Sequence, residues 1–152
     1  MTQFPPVEEL LPHRAPMLLL DELTGWDGTT AECAVSIETG RPFVSATGAD
    51  PIVVIEYMAQ CVAAWAGLSA RERDLPVEIG FLIGCRELIM HRQTLPLGLR
   101  LQVTASRVWG DDRLGKFDCE VTDASGVVAT ATLSVARPSA GGASDGYPES
   151  AP

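Results

Sequence analysis

Residues 50–68, Asp50-Pro51-Ile52-Val53-Val54-Ile55-Glu56-Tyr57-Met58-Ala59-Gln60-Cys61-Val62-Ala63-Ala64-Trp65-Ala66-Gly67-Leu68, decide the fold, because from Ile52 onward only Glu56 and Gln60 are strongly polar. Asp50 is a natural N-cap and Pro51 suits the first helical position, where its missing N–H costs nothing. The run fades into Ser69-Ala70-Arg71-Glu72-Arg73 ahead of Pro76, so one helix is predicted. A membrane span is the competing assignment. The apolar run is short of the ~20 residues a span needs and carries a carboxylate near its start, and the rest of the chain alternates as amphipathic strand.

That alternation is clear in four places. Ala31, Cys33, Val35 and Ile37 oppose Glu32, Ser36 and Glu38. Leu99, Leu101, Val103 and Ala105 interleave with Arg100, Gln102, Thr104 and Ser106 until the phase breaks at Val108-Trp109, which predicts a bulge. Phe117, Cys119 and Val121 face away from Asp118, Glu120 and Thr122, and a last run places Val127, Ala129, Ala131, Leu133 and Val135 on one face. Turn residues separate the runs at Trp26-Asp27-Gly28, Trp109-Gly110-Asp111-Asp112 and Asp123-Ala124-Ser125-Gly126, so the strands are joined as antiparallel hairpins. Two apolar runs, 17–20 and 79–83, have the length of strands covered on both faces, giving about six strands. A helix of about 19 residues is roughly 28 Å long. Six strands about 4.8 Å apart make a sheet of similar width. The predicted class is α+β, with one long central helix wrapped by a curled antiparallel sheet.

The 152 residues suit one domain, expected over 1–137, and the Pro/Gly/Ser/Ala-rich 138–152 read as a disordered tail. Asp plus Glu number 20 against 11 Lys plus Arg, a formal charge of −9, which argues against nucleic acid or an anionic membrane as partner. The four cysteines form no CxxC pair, so no metal site is expected and they read as small buried hydrophobes, Cys85 included. The N-terminus lacks an export signal, so a cytoplasmic, reduced protein is expected.

Glu56 and Gln60, four residues apart, share one helix face. A carboxylate among Val53, Ile55, Tyr57, Met58 and Ala59 is expected to lose solvation, which favours its protonated form and suits it to general-acid work; a partner for a buried Arg is the structural alternative. Ala59, Ala63, Ala66 and Gly67 admit either a close helix or subunit contact or a thin ligand.

Three motifs carry a family resemblance. Leu11-Pro12-His13-Arg14-Ala15-Pro16-Met17-Leu18-Leu19-Leu20-Asp21 resembles the LPHRxPxLLLD opening of bacterial 3-hydroxyacyl-[acyl-carrier-protein] dehydratases of FabZ type. Ile55-Glu56-Tyr57-Met58-Ala59-Gln60 resembles their (I/V)EAMAQ helix, and Phe81-Leu82-Ile83-Gly84 followed by Pro96-Leu97-Gly98 is similar to their FLG strand and PGD turn. The likeness is closer still to the dehydratases of aryl-polyene pigment gene clusters, the ApeP group, whose helix reads IEYMAQ and continues AAWAG.

The resemblance implies a hot-dog fold working as a dimer, with a tunnel for the phosphopantetheine arm of an acyl carrier protein and no cofactor of its own. It implies that Glu56 helps the β-hydroxyl of a 3-hydroxyacyl thioester leave as water, giving a trans-2-enoyl thioester, and that Gln60, Gly84 and Phe81 bind or orient substrate. In the FabZ type, a histidine contributed by the other protomer, in a loop before the helix, removes the α-proton, so a different hot-dog subunit could supply it. Here that loop, Phe43-Val44-Ser45-Ala46-Thr47-Gly48-Ala49-Asp50-Pro51, is shorter and has no histidine.

Only His13 and His91 exist in the chain. His13 matches a position to which the family assigns no proton transfer, while His91 falls on a strand where the family carries basic residues near the tunnel, making it the expected base. Cys85 has no activating neighbour in sequence for nucleophilic work. Among the arginines, Arg86 and Arg92 are the expected carrier-protein contacts, with Arg71 and Arg73 on neighbouring segments. A sheet edge needs covering, so a homodimer or a heterodimer with another hot-dog subunit is expected. Two rival functions remain: a non-catalytic subunit beside an active dehydratase, and an acyl thioesterase using Glu56 to activate water.

Overall fold

A computed structural model of the chain describes residues 3–111 and 113–138. Its elements run α1 (Val7–Leu10), β1 (Glu22–Trp26), β2 (Thr30–Ser36), β3 (Val44–Ser45), β4 (Gly48–Ala49), a 3-10 turn (Pro51–Val53) leading into α2 (Val54–Glu72), β5 (Phe81–Met90), β6 (Leu95–Pro96), β7 (Arg100–Gly110), β8 (Leu114–Asp123) and β9 (Gly126–Ala136). One six-stranded sheet has the order β1-β2-β7-β8-β9-β5, antiparallel throughout, and β3, β4 and β6 form a small second sheet.

The helix begins as its caps dictate: the Asp50 carboxylate accepts the Ile52 N–H at 3.0 Å and Pro51 opens the first turn. Hairpin turns are built the same way. Asp27 accepts the N–H groups of Thr29 and Thr30, Asp111 those of Arg113 and Leu114, and Asp123 that of Ser125. Alternating residues then deliver the core. Ala31, Cys33, Val35, Leu101, Val103, Ala105, Phe117, Cys119, Val121, Ala129, Ala131 and Leu133 are buried with Met58, Cys61, Ala64, Trp65 and Leu68 of α2. So many inward residues are small that the helix seats closely, and the Cys61 thiol donates to the main-chain carbonyls of Ala31 and Val103 at 3.5 and 3.6 Å. A side-chain hydrogen bond with Cys33 and burial push the Cys61 thiol well up, and burial pushes Cys119 up to about 12, so both act as inert core atoms. Pro51–Glu72 is long and apolar enough to cross a membrane, but most of its apolar stretch is buried against its own sheet. This is the hot-dog arrangement, and the bulge expected at Val108 is present as a register shift between Arg107 and Trp109.

Four expectations are corrected, the first being Val127, expected inward on the last strand but 37% exposed with Val128 buried in its place, because the pairing of β8 with β9 shifts register between Val121 and Thr122. Residues 17–20 form no strand, because side chains rather than a neighbouring strand satisfy their main chain: Gln60 bonds Met17 O and Leu19 N, and Arg41 donates to Leu19 O. The strand in their place is β1, an edge whose pattern is masked by Gly25 and by a single buried residue, Leu23. The run at 79–83 lies at and before the start of β5 and is not covered, with Phe81 and Ile83 each 58% exposed, because β5 is the other edge of the sheet. Cys85, on the same strand, is exposed rather than buried. The expected tail lies outside the described residues from 139 onward.

Candidate active site

The helix is sheathed on all but one face. Ile52, Glu56, Ala59, Ala63 and Ala66, spaced by four and three residues, form a stripe that the sheet leaves uncovered. A cavity of about 440 Å³ lies against it, walled opposite by Phe81, Leu82, Leu114, Phe117 and Val135, a size suited to a small organic ligand. Gly67, one residue off the stripe, serves the other purpose open to small residues: a methyl group there would run into the Leu10 carbonyl of α1.

Glu56 sits in this cavity under tight control. Gln60 is fully buried and donates to Glu56 Oε1 at 2.9 Å and to Met17 O at 2.8 Å, while its own oxygen accepts the Leu19 N–H at 2.8 Å. These partners fix the amide's orientation, since oxygen must face the N–H and nitrogen the carbonyl. Gln60 therefore positions Glu56 and does not itself line the cavity. The expected drying of Glu56 is not met within one chain, where its side chain is 39% exposed, and among the described residues no arginine pairs with it. The imidazole of His13 lies beside it, with Nε2 3.8 Å from Glu56 Oε1.

The far end of the cavity is cationic, with Arg73, Arg107, Arg113 and Arg137 against Glu78 and Asp111. Arg107 stacks over the Trp65 ring at 5.4 Å, and Trp65 is fixed edge-on to Trp26 and Phe117 and by a hydrogen bond to Thr29 O. Glu56 and Arg73 are seventeen residues apart along the helix, about 25 Å at 1.5 Å per residue.

Of the other expected site residues, Phe81 lines the cavity, while Gly84, Arg86, His91 and Arg92 do not. His91 is exposed beyond the end of β5, about 30 Å from Phe81 along an extended strand, so one chain does not bring it to Glu56. Arg92 is engaged by Asp123 and Ser125, and Arg71 by Glu9. Arg107, Arg113 and Arg137 were missed by spacing alone, yet each is the next inward position beyond an apolar run: after Ala105, before Gly115 and Phe117, and after Val135. Extending the alternation one step past its apolar stretch finds all three. Among the described residues no His, Cys, Asp or Glu cluster could hold a metal ion.

Comparison with known proteins agrees with this geometry. FabZ, a 3-hydroxyacyl-[acyl-carrier-protein] dehydratase of Anaeromyxobacter sp. (strain K), is 27% identical over 126 residues, covering 76% of this chain and 81% of the relative. The structure of the dehydratase heterocomplex ApeI:P from Xenorhabdus doucetiae superposes with a TM-score of 0.85 at 26% identity, covering 90% of this chain and 93% of that one. The E. coli PaaI protein of the phenylacetic acid degradation operon shares the fold, with a TM-score of 0.60 at 14% identity over 76% of this chain and 82% of its own. The family model for ApeP dehydratases matches residues 5–145, and the chain belongs to this ApeP-like family.

Proposed function

We propose that this protein is a 3-hydroxyacyl-[acyl-carrier-protein] dehydratase of fatty-acid or polyene biosynthesis, eliminating water from a carrier-bound 3-hydroxyacyl thioester to give the trans-2-enoyl thioester. The observation that carries this is a cavity with a positioned carboxyl group at one end and four arginines at the other. A phosphopantetheine-tethered substrate has the matching polarity: its thioester is the reacting end, and its phosphate sits a long, flexible arm away. Arginine forks suit that phosphate and the acidic surface of the carrier, which answers the chain's net charge of −9 locally. Gln60 holds Glu56 Oε1 so that the carboxyl proton is presented to the β-hydroxyl as its C–O bond breaks. A substrate filling the cavity would displace water from Glu56 and strengthen this transfer.

A partnering role is supported by a separate observation, the exposed apolar row of Phe81, Leu82, Ile83 and Ile89 on edge strand β5. Such an edge invites another sheet, and the relative from Xenorhabdus doucetiae is titled a heterocomplex. We infer that a hot-dog subunit, a second copy or a different one, covers β5.

The test is turnover of a 3-hydroxyacyl carrier protein by the purified chain, alone and mixed with a separately purified hot-dog dehydratase subunit, with enoyl product read by mass spectrometry. Product in either case, lost with Glu56→Gln, is the expected result. Activity of the mixture that survives Glu56→Gln would assign this chain the non-catalytic role. Absence of product in both would overturn the proposal.

A further inference from the structure

Dehydration takes a proton from Cα and hydroxide from Cβ, adjacent atoms, so removal from one face needs a base and an acid a few ångströms apart. The loop before α2 has no histidine to act as that base. We propose that His13 is the base of this chain's own site, accepting the α-proton on Nε2 while Glu56 protonates the departing β-hydroxyl. The proposal rests on the dehydratase reading above and adds to it the missing group.

The geometry fits the task. His13 Nε2 and Glu56 Oε1 are 3.8 Å apart, too far for a hydrogen bond between them and close enough to address neighbouring substrate atoms. Both residues line the cavity, and their side chains are 32% and 39% exposed. His13 Nδ1 is buried without a hydrogen-bond partner among the described residues, so Nε2 is the nitrogen available to a ligand. For Nε2 to accept the α-proton, Nδ1 carries the hydrogen of the neutral ring.

The segment is also held in place. Arg14 donates to Leu11 O at 2.9 Å and to His13 O at 2.7 Å, and Gln60 ties Met17 and Leu19 to the same helix turn that carries Glu56. Gln60 thus bonds both Glu56 and the segment that follows His13. The only other imidazole, His91, lies off the cavity.

The step balances. The Cα–H bond breaks and its proton goes to His13 Nε2; the freed electron pair forms the Cα=Cβ bond and expels the β-oxygen. That oxygen takes the carboxyl proton of Glu56 and leaves as water. The pair, which started as neutral imidazole and neutral carboxyl, becomes imidazolium and carboxylate with the same number of protons. Transfer of one proton from Nε2 to the carboxylate restores it.

The test compares His13→Ala, His13→Gln, His91→Ala and Glu56→Gln in the full chain, in whichever assembly turns over. Both His13 variants should lose about 10²- to 10⁴-fold in kcat with little change in KM. Free imidazole should restore part of the activity of His13→Ala, and His91→Ala should turn over like the parent. A reading independent of activity comes from NMR, since only two histidine rings exist. A 3-hydroxyacyl pantetheine amide, which keeps the arm and lacks the labile thioester, should move the ring signals of His13 and leave those of His91. If Glu56→Gln abolishes turnover and the His13 variants do not, His13 is not the base and the dehydratase reading stands. If neither matters, both fall. A shift of His91 with none at His13 would also overturn the proposal.

Discussion

The two faces of α2 are made from similar residues and serve opposite ends. On the covered face Met58, Cys61, Ala64, Trp65 and Leu68 meet the inner faces of the strands so closely that thiol and carbonyl touch. On the open stripe Ala59, Ala63 and Ala66 are half-buried at the edge of the core and line the cavity. The same side chain, alanine, is a close contact at 64 and a clearance at 63. What distinguishes the two faces is the part of the sheet opposite: the inward residues of β2, β7, β8 and β9 fill the space on one side, and on the other the strands run out into arginines. Stability should therefore be concentrated on one face and function on the other.

The largest break in that division is predicted at Trp65→Ala, which removes a ring packed by Trp26, Phe117 and Arg107 and should cost about 3–5 kcal/mol in denaturant unfolding. Next comes a pair of substitutions a turn apart. Gly67→Ala pushes a methyl into the Leu10 carbonyl and should cost about 1–3 kcal/mol. Ala63→Leu instead projects into the cavity, so it should change stability by no more than about 0.5 kcal/mol while reducing turnover of long acyl chains. Equal losses of stability for the two would abolish the distinction between the faces.

The smallest effect lies in the turns that hold the strands in register. Hydrogen bonds from the turn N–H groups hold Asp27 and Asp111 below their ordinary value of 3.8, and the hydroxyl and N–H of Ser125, with Arg92, do the same for Asp123. A carboxyl held low in the folded state binds fewer protons there than in the unfolded chain. Its contribution is complete above 3.8 and is lost as pH falls below that value. Asparagine keeps the turn's acceptor and cannot titrate, so an Asp→Asn change at 27, 111 or 123 should flatten the acid limb of a stability-against-pH curve and leave the neutral-pH helix content unchanged.

Much of this was legible in the sequence. The strand phases placed the inward residues except at Val127, where a register shift turns Val128 inward instead; the broken phase at Val108 marked the bulge, and the Asp50-Pro51 pair marked the helix start, because each depends only on neighbours in the chain. The Glu56–Gln60 pair was legible for the same reason. Residues 17–20 misled because an apolar run reports burial and not the partner of its main chain, which here is the amide of Gln60. The run at 79–83 misled because apolarity does not say whose core will cover it. The nearness of His13 to Glu56 was not legible, because the two meet across 43 residues of chain and no local pattern records such a proximity.

The central claim is that Glu56, aimed by Gln60 into the cavity, donates the proton that lets water leave. The direct measurement is the single-turnover rate of enoyl formation from a 3-hydroxyacyl carrier protein, comparing the parent with Glu56→Gln at matched folding stability. The account predicts a rate lower by about 10²- to 10⁴-fold with substrate binding retained. A Glu56→Gln protein that forms enoyl product at the parent rate would contradict it.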